Sequence, residues 1–150
     1  METKVLPVRM QSRQIGAKQN GKWQVIIMGL FTKTSGKGWD FDKHDGTLTI
    51  YGHLEHGFDS PFNKIAKKVR KIKAVEGGSV SDGFRLFADM ENLVSADLAA
   101  LDVSKCTDMS SMFFCCESLV SLDLSTWNSK NVRTMTSMFF FCKRYFQRNS

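Results

Sequence analysis

Apolar positions in the last third of the chain follow two rhythms in alternation. Met109, Met112, Phe113 and Cys116 fall at i, i+3, i+4 and i+7, the spacing of one helix face, with Asp108 in front as an N-cap candidate. Leu119, Leu122 and Leu124 follow at the tighter spacing of a strand. The pattern returns further on, with Met135, Met138, Phe139 and Cys142 on the Met, Phe and Cys positions and Thr134 on that of the N-cap. Upstream, FADMENLVSADLAA (87–100) falls on FFCCESLVSLDLST (113–126) at the same shift. Two windows agreeing on one period predict stacked units, each a short helix then a short strand, that bury their apolar faces against one another.

The L-x-x-L-x-L spacing of Leu119, Leu122 and Leu124 is that of a leucine-rich repeat strand. The expected fold class is α/β: a short leucine-rich repeat solenoid of 26-residue helix–strand repeats, about 2.5 turns over residues 81–150. Its third turn ends polar, because Tyr145, Arg148 and Ser150 stand where leucines stood one period earlier. In the first half, Trp39 and Phe41 alternate with charges, Asp45-Gly46 offers a turn, and Leu48 and Ile50 resume the alternation, which predicts a β-hairpin. KWQVIIMGLF (22–31) reads as a further strand. Residues 21–80 are thus expected to form a β-rich cap on the first turn, and residues 1–20 a mobile basic arm.

The stretch LDVSKCTDMSSMFFCCESLVSLDLSTWNSKNVRTMTSMFFFC (101–142) resembles the repeat of the BspA-like leucine-rich repeat proteins, a bacterial family of surface proteins. GWDFDKHDGTLTI (38–50), the SPF at 60–62 and KVRKIKAVEG (68–77) are similar to the module that often precedes the first repeat there. The resemblance implies display on the cell surface, adhesion to other proteins and no catalysis. Relatives also carry a secretion signal, a wall-anchoring tail and many turns, none of which this sequence displays.

Composition and charge refine this picture. A chain of 150 residues, 42% hydrophobic and 24% charged, suits one ordinary core. Its longest apolar run, VIIMGLF (25–31), is far below the roughly 20 residues of a membrane helix. Residues 1–20 lack the apolar core of a signal peptide, so the chain alone is expected to stay in the cytoplasm. Residues 1–75 hold 14 Lys/Arg against 6 Asp/Glu, and residues 76–150 hold 7 against 9. Much of the excess sits in KIAKKVRKIK (64–73), where Lys64, Lys67, Lys68, Arg70, Lys71 and Lys73 surround Ile65, Val69 and Ile72. Apolar spacing there suits an amphipathic helix, while the family resemblance makes the second half a strand. Clustered cations of this kind attract nucleic acid or an acidic protein.

Candidate chemistry is thin. Met109, Met112 and Cys116 have the softness of copper(I) ligands, yet their spacing is that of a buried face, and Met and free Cys are ordinary core fillers. Cys106, Cys115, Cys116 and Cys142 form no C-x-x-C pair and are expected to be free thiols. Asp40, Asp42 and Asp45 lack calcium-loop spacing, and His53, Glu55 and His56 do not form H-E-x-x-H. No nucleophile elbow, Walker loop or dinucleotide fingerprint occurs. The expectation is a non-enzymatic protein–protein interaction module with no cofactor and no metal. Its contact residues are the outward strand positions Ser95, Asp97, Ser121 and Asp123, with end-to-end association through the terminal repeat as a further mode. The alternative is an intracellular, mobile-element-encoded inhibitor or regulator that engages a nucleic-acid-handling protein, or nucleic acid, through the basic tract.

Overall fold

In a computed structural model of the chain, residues 34–54 and 58–145 are described in full, together with the backbone of strand segments 14–19, 22–27 and Lys33. The fold is a β-solenoid of about three turns. Strands β1 (Gln14–Gln19) and β2 (Lys22–Ile27) pair antiparallel as a separate hairpin. The expected basic arm therefore lies outside the described residues up to position 13, and its last part contributes β1.

The solenoid begins with β3 (Lys33–Gly36), β4 (Trp39–Asp42) and β5 (Thr47–Ile50). Strands β4 and β5 form the expected antiparallel hairpin, with Trp39 opposite Ile50 and Phe41 opposite Leu48. Gly46 closes its turn with φ +73° while its N–H donates to the Asp42 carbonyl, and an added Cβ would lie 2.8 Å from Arg70 Cγ. Four strands then run parallel along the stack: β5, β7 (Lys71–Ala74), β9 (Ser95–Asp97) and β10 (Ser121–Asp123). Register runs from Thr47 to Lys71 to Ser95 in equal steps, and the last step, from Ser95 to Ser121, is longer by two positions. A second short ladder joins β6 (His53–Leu54) to β8 (Ser79–Val80), and a bridge carries it on to Asp102.

The expected helix face is a different structure. Met109, Met112, Phe113 and Cys116 are all fully buried, as their spacing predicts, but residues 109–116 form consecutive turns with Ser111 and Cys115 at φ +56° and +59°. The same backbone recurs at Arg85 and Asp89 and again at Ser137 and Phe141. Even-numbered amides close turns within a coil, as Met112 N–H to Met109 and Phe114 N–H to Ser111. Odd-numbered amides cross to the next coil: Ser111 to Thr136, Phe113 to Met138, Cys115 to Phe140. These crossing bonds take the place of a helix, which would splay the far side of the stack and curve it. Parallel strands lie about 4.8 Å apart, whereas packed helices need roughly 8–10 Å. A coil tied to its neighbours by strands on one side stays flat by pleating the other. The tract at 64–73 is likewise no amphipathic α-helix: it contributes the 3₁₀ turn Ala66–Lys68, and its second half becomes β7.

One column of rings runs the length of the stack. Phe62, Phe87, Phe113 and Phe139 succeed one another at centroid distances of 5.8, 5.4 and 5.5 Å, and Tyr145 continues the column 5.7 Å beyond Phe139. Leu48, Ile72, Ala96 and Leu122 form a second row in strand register. Each fully buried large apolar side chain contributes roughly 1.5–3 kcal/mol. Leu122 and Leu124 are only partly buried because β10 is the last strand of its sheet, so Leu124 gains less than Leu98 one turn earlier.

Candidate partner-binding face

The strand side of the solenoid carries a shallow groove of about 400 Å³ lined by Thr47, Lys71, Lys73, Ser95, Asp97, Ser121 and Asp123, with Ile72 and Ala96 beneath. Alternation along each strand produces it, since residues i and i+2 face one side. Two rows result. Thr47, Lys71, Ser95 and Ser121 stand in register across four strands, as do Thr49, Lys73, Asp97 and Asp123. The four outward positions expected on the repeat strands therefore meet two members of the basic tract. Sequence reasoning misses Thr47 because its strand reads only as part of a cap; the alternation Thr47-Leu48-Thr49-Ile50 is the signal that could have found it.

The rest of the tract is elsewhere. Lys67 bridges to Glu91 at 3.3 Å, and its carbonyl accepts the Asn92 side-chain amide. The Arg70 stem lies over Gly46 and its carbonyl accepts the Val94 N–H. Lys64 and Lys68 are exposed outside the groove. Burial pushes the Asp45 carboxyl up, but hydrogen bonds from Thr47 outweigh it and hold the group below its ordinary range, with a smaller contribution from the Lys71 charge. Asp123 is lowered chiefly because the Ser125 hydroxyl and N–H hydrogen-bond to its carboxylate, the N–H at 2.9 Å. The same Asp-x-Ser turn recurs at Asp102 with Ser104 and at Asp108 with Ser110.

The soft side chains pack. The thiols of Cys116 and Cys142 donate to the carbonyls of Phe87 and Phe113 over 3.2 and 3.1 Å, and Cys106 donates to Val80 over 3.3 Å. All four cysteines are free. Burial pushes Cys106 and Cys142 from an ordinary 9.0 up to about 11, and pushes Cys116 further. The folded state thus keeps protons that the unfolded chain loses. The contribution of these thiols is fully present below about pH 9 and is lost as pH rises through 11. Thermal midpoints should fall between pH 9 and 11, and an aromatic disulfide reagent at pH 8 should label half-buried Cys115 before the other three. Equal labelling of all four in the native state contradicts the thiol ladder.

His53 Nδ1 and Ser79 Oγ are 3.1 Å apart, and Asp102 bridges to Ser79 through the backbone from the far side. The Asp102 carboxylate itself accepts the Ser104 N–H at 2.9 Å. Glu55 and His56 lie outside the described residues. Asp42 and Asp45 accept the His44 and Thr47 amides in the hairpin turn. Among the described residues no cluster of three or more His, Cys, Asp or Glu could hold a metal ion, and no helix is long and apolar enough to cross a membrane.

A family model described as DUF285, Mycoplasma protein of unknown function, matches residues 56–150. No curated protein and no solved structure matches the chain.

Proposed function

The chain belongs to the DUF285 family, whose description assigns no function, and from that premise we propose that it is a non-enzymatic binding module that holds a protein partner against the strand-side groove. The carrying observation is the convergence of Lys71, Lys73, Ser95, Asp97, Ser121 and Asp123, drawn from three consecutive parallel strands, on one shallow open surface. Solenoids use such shared faces to bind extended partners. The likeness of residues 101–142 to BspA-like repeats supports adhesion as the biological setting.

Capture of proteins from host lysate by the intact chain, compared with K71E/K73E and D97K/D123K, tests the proposal. Partners should be lost, by about tenfold or more in recovered amount, with either groove variant while both remain folded. An unchanged set of captured proteins with both variants sinks it.

A second reading, contact with nucleic acid or an acidic protein through the basic tract, is favoured by the exposure of Lys64, Lys68 and Arg70 outside the groove. It predicts that K64E/K68E/R70E weakens DNA or RNA binding, with a reduced salt dependence, while K71E/K73E has the smaller effect. Salt-independent binding, or none, removes it.

A further inference from the structure

The charges in the groove are segregated along the stack axis, and among the described residues none of them is in an ion pair, although Lys71 feels the nearby Asp45 carboxylate. Lys73 and Asp97 are register partners on adjacent strands, yet no ion pair joins them. Asp97 and Asp123 are register partners of like sign, a juxtaposition that destabilises a sheet. Among the described residues neither aspartate has a basic side chain bridged to it. The sheet therefore presents a cation pair on β7 and an anion pair on β9 and β10, each open to a countercharge from outside.

Resting on the binding-module reading above, we infer that the groove takes an extended polypeptide segment of mixed charge, with an acidic side chain over Lys71 and Lys73 and a basic one over Asp97 and Asp123. Distances set the spacing. Strands are about 4.8 Å apart, so the centre of the carboxylate pair lies roughly 7 Å from β7, close to the rise of two residues in an extended chain. The matching motif is Asp/Glu-x-Lys/Arg or its reverse, laid across the strands, with Thr47, Ser95 and Ser121 offering hydroxyls to its backbone. A uniformly acidic segment meets the aspartates, and a uniformly basic one meets the lysines; both are rejected by like charge.

Labelled threonine-rich peptides test this by fluorescence anisotropy: one with Glu and Lys two positions apart, one with Glu at both places, one with Lys at both. At about 50 mM salt the mixed peptide should bind at least about tenfold tighter than either uniform one, and by about 300 mM the advantage should shrink. D97K/D123K should lose the mixed peptide and gain the all-Glu one, K71E/K73E the converse, and the fourfold charge exchange should restore mixed binding because the peptide can lie the other way. Asp97→Asn should weaken mixed binding while strengthening the all-Glu peptide, an opposition that a merely structural aspartate does not produce. The inference is overturned if the all-Glu peptide binds as well as the mixed one, or if D97K/D123K leaves mixed binding unchanged. It is also overturned if no peptide binds while lysate partners still depend on the groove residues, a result that leaves the binding-module reading standing.

Discussion

Phe113→Ala lowers the stability of the solenoid by about 3–5 kcal/mol, a large share of the roughly 5–15 kcal/mol that holds a domain of this size. The ring is fully buried and has a neighbour on each side, Phe87 at 5.4 Å and Phe139 at 5.5 Å, so its removal leaves a cavity in mid-column that neither coil can collapse to fill. Cys142 also donates its thiol to the Phe113 carbonyl, which ties the next coil to the same spot. The same change at Phe139 costs less, because that ring is only partly buried, with Phe113 on one side and Tyr145 on the other. Denaturant unfolding of the two variants beside the parent chain measures the difference. Equal losses at both positions would show that the column does not deepen toward the middle.

Ser111→Val is the second large effect. At φ +56° a β-branched side chain is strained by roughly 1–3 kcal/mol, and the distortion reaches the Ser111 N–H, which donates to Thr136 in the next coil at 2.9 Å. Ser111→Gly supplies the informative sign. In a helix, glycine here costs about 1 kcal/mol; in this left-handed turn it relieves strain and stabilises by a few tenths to about 1 kcal/mol. A pair of opposite shifts, Val down and Gly up, identifies the pleated coil. Destabilisation by both returns the segment to a helix.

That pair of substitutions marks where the sequence stops being legible. The periodicity of Met109, Met112, Phe113 and Cys116 names the buried side chains correctly, since burial at i, i+3, i+4 and i+7 follows from which positions are apolar. It names the wrong backbone, because two consecutive turns with every fourth residue left-handed bury the same positions. Nothing in MSSMFFCC announces positive φ: the residues that take it in the three pleated segments are Ser, Cys, Arg, Asp and Phe, not glycine. The hairpin over residues 39–50 is legible because alternation and Asp45-Gly46 are local signals. The first solenoid turns are not, since Thr-Leu-Thr-Ile and Lys-Ile-Lys-Ala share no motif with the later repeats and step by two positions fewer.

The candidate site divides in the same way. The repeat points to Ser95, Asp97, Ser121 and Asp123, and charge density points to Lys71 and Lys73, as two unrelated sets. By itself the sequence determined that a repeat exists, which side chains face inward, and that one half is basic, because these depend on spacing and composition alone. Only the tertiary structure decided that the coils are flat and that the lysines and aspartates share one face. The reason is the strand spacing of about 4.8 Å: amides crossing from coil to coil hold it on the far side of the stack as well, and it draws β7 out of the basic tract into the same sheet as the repeat strands.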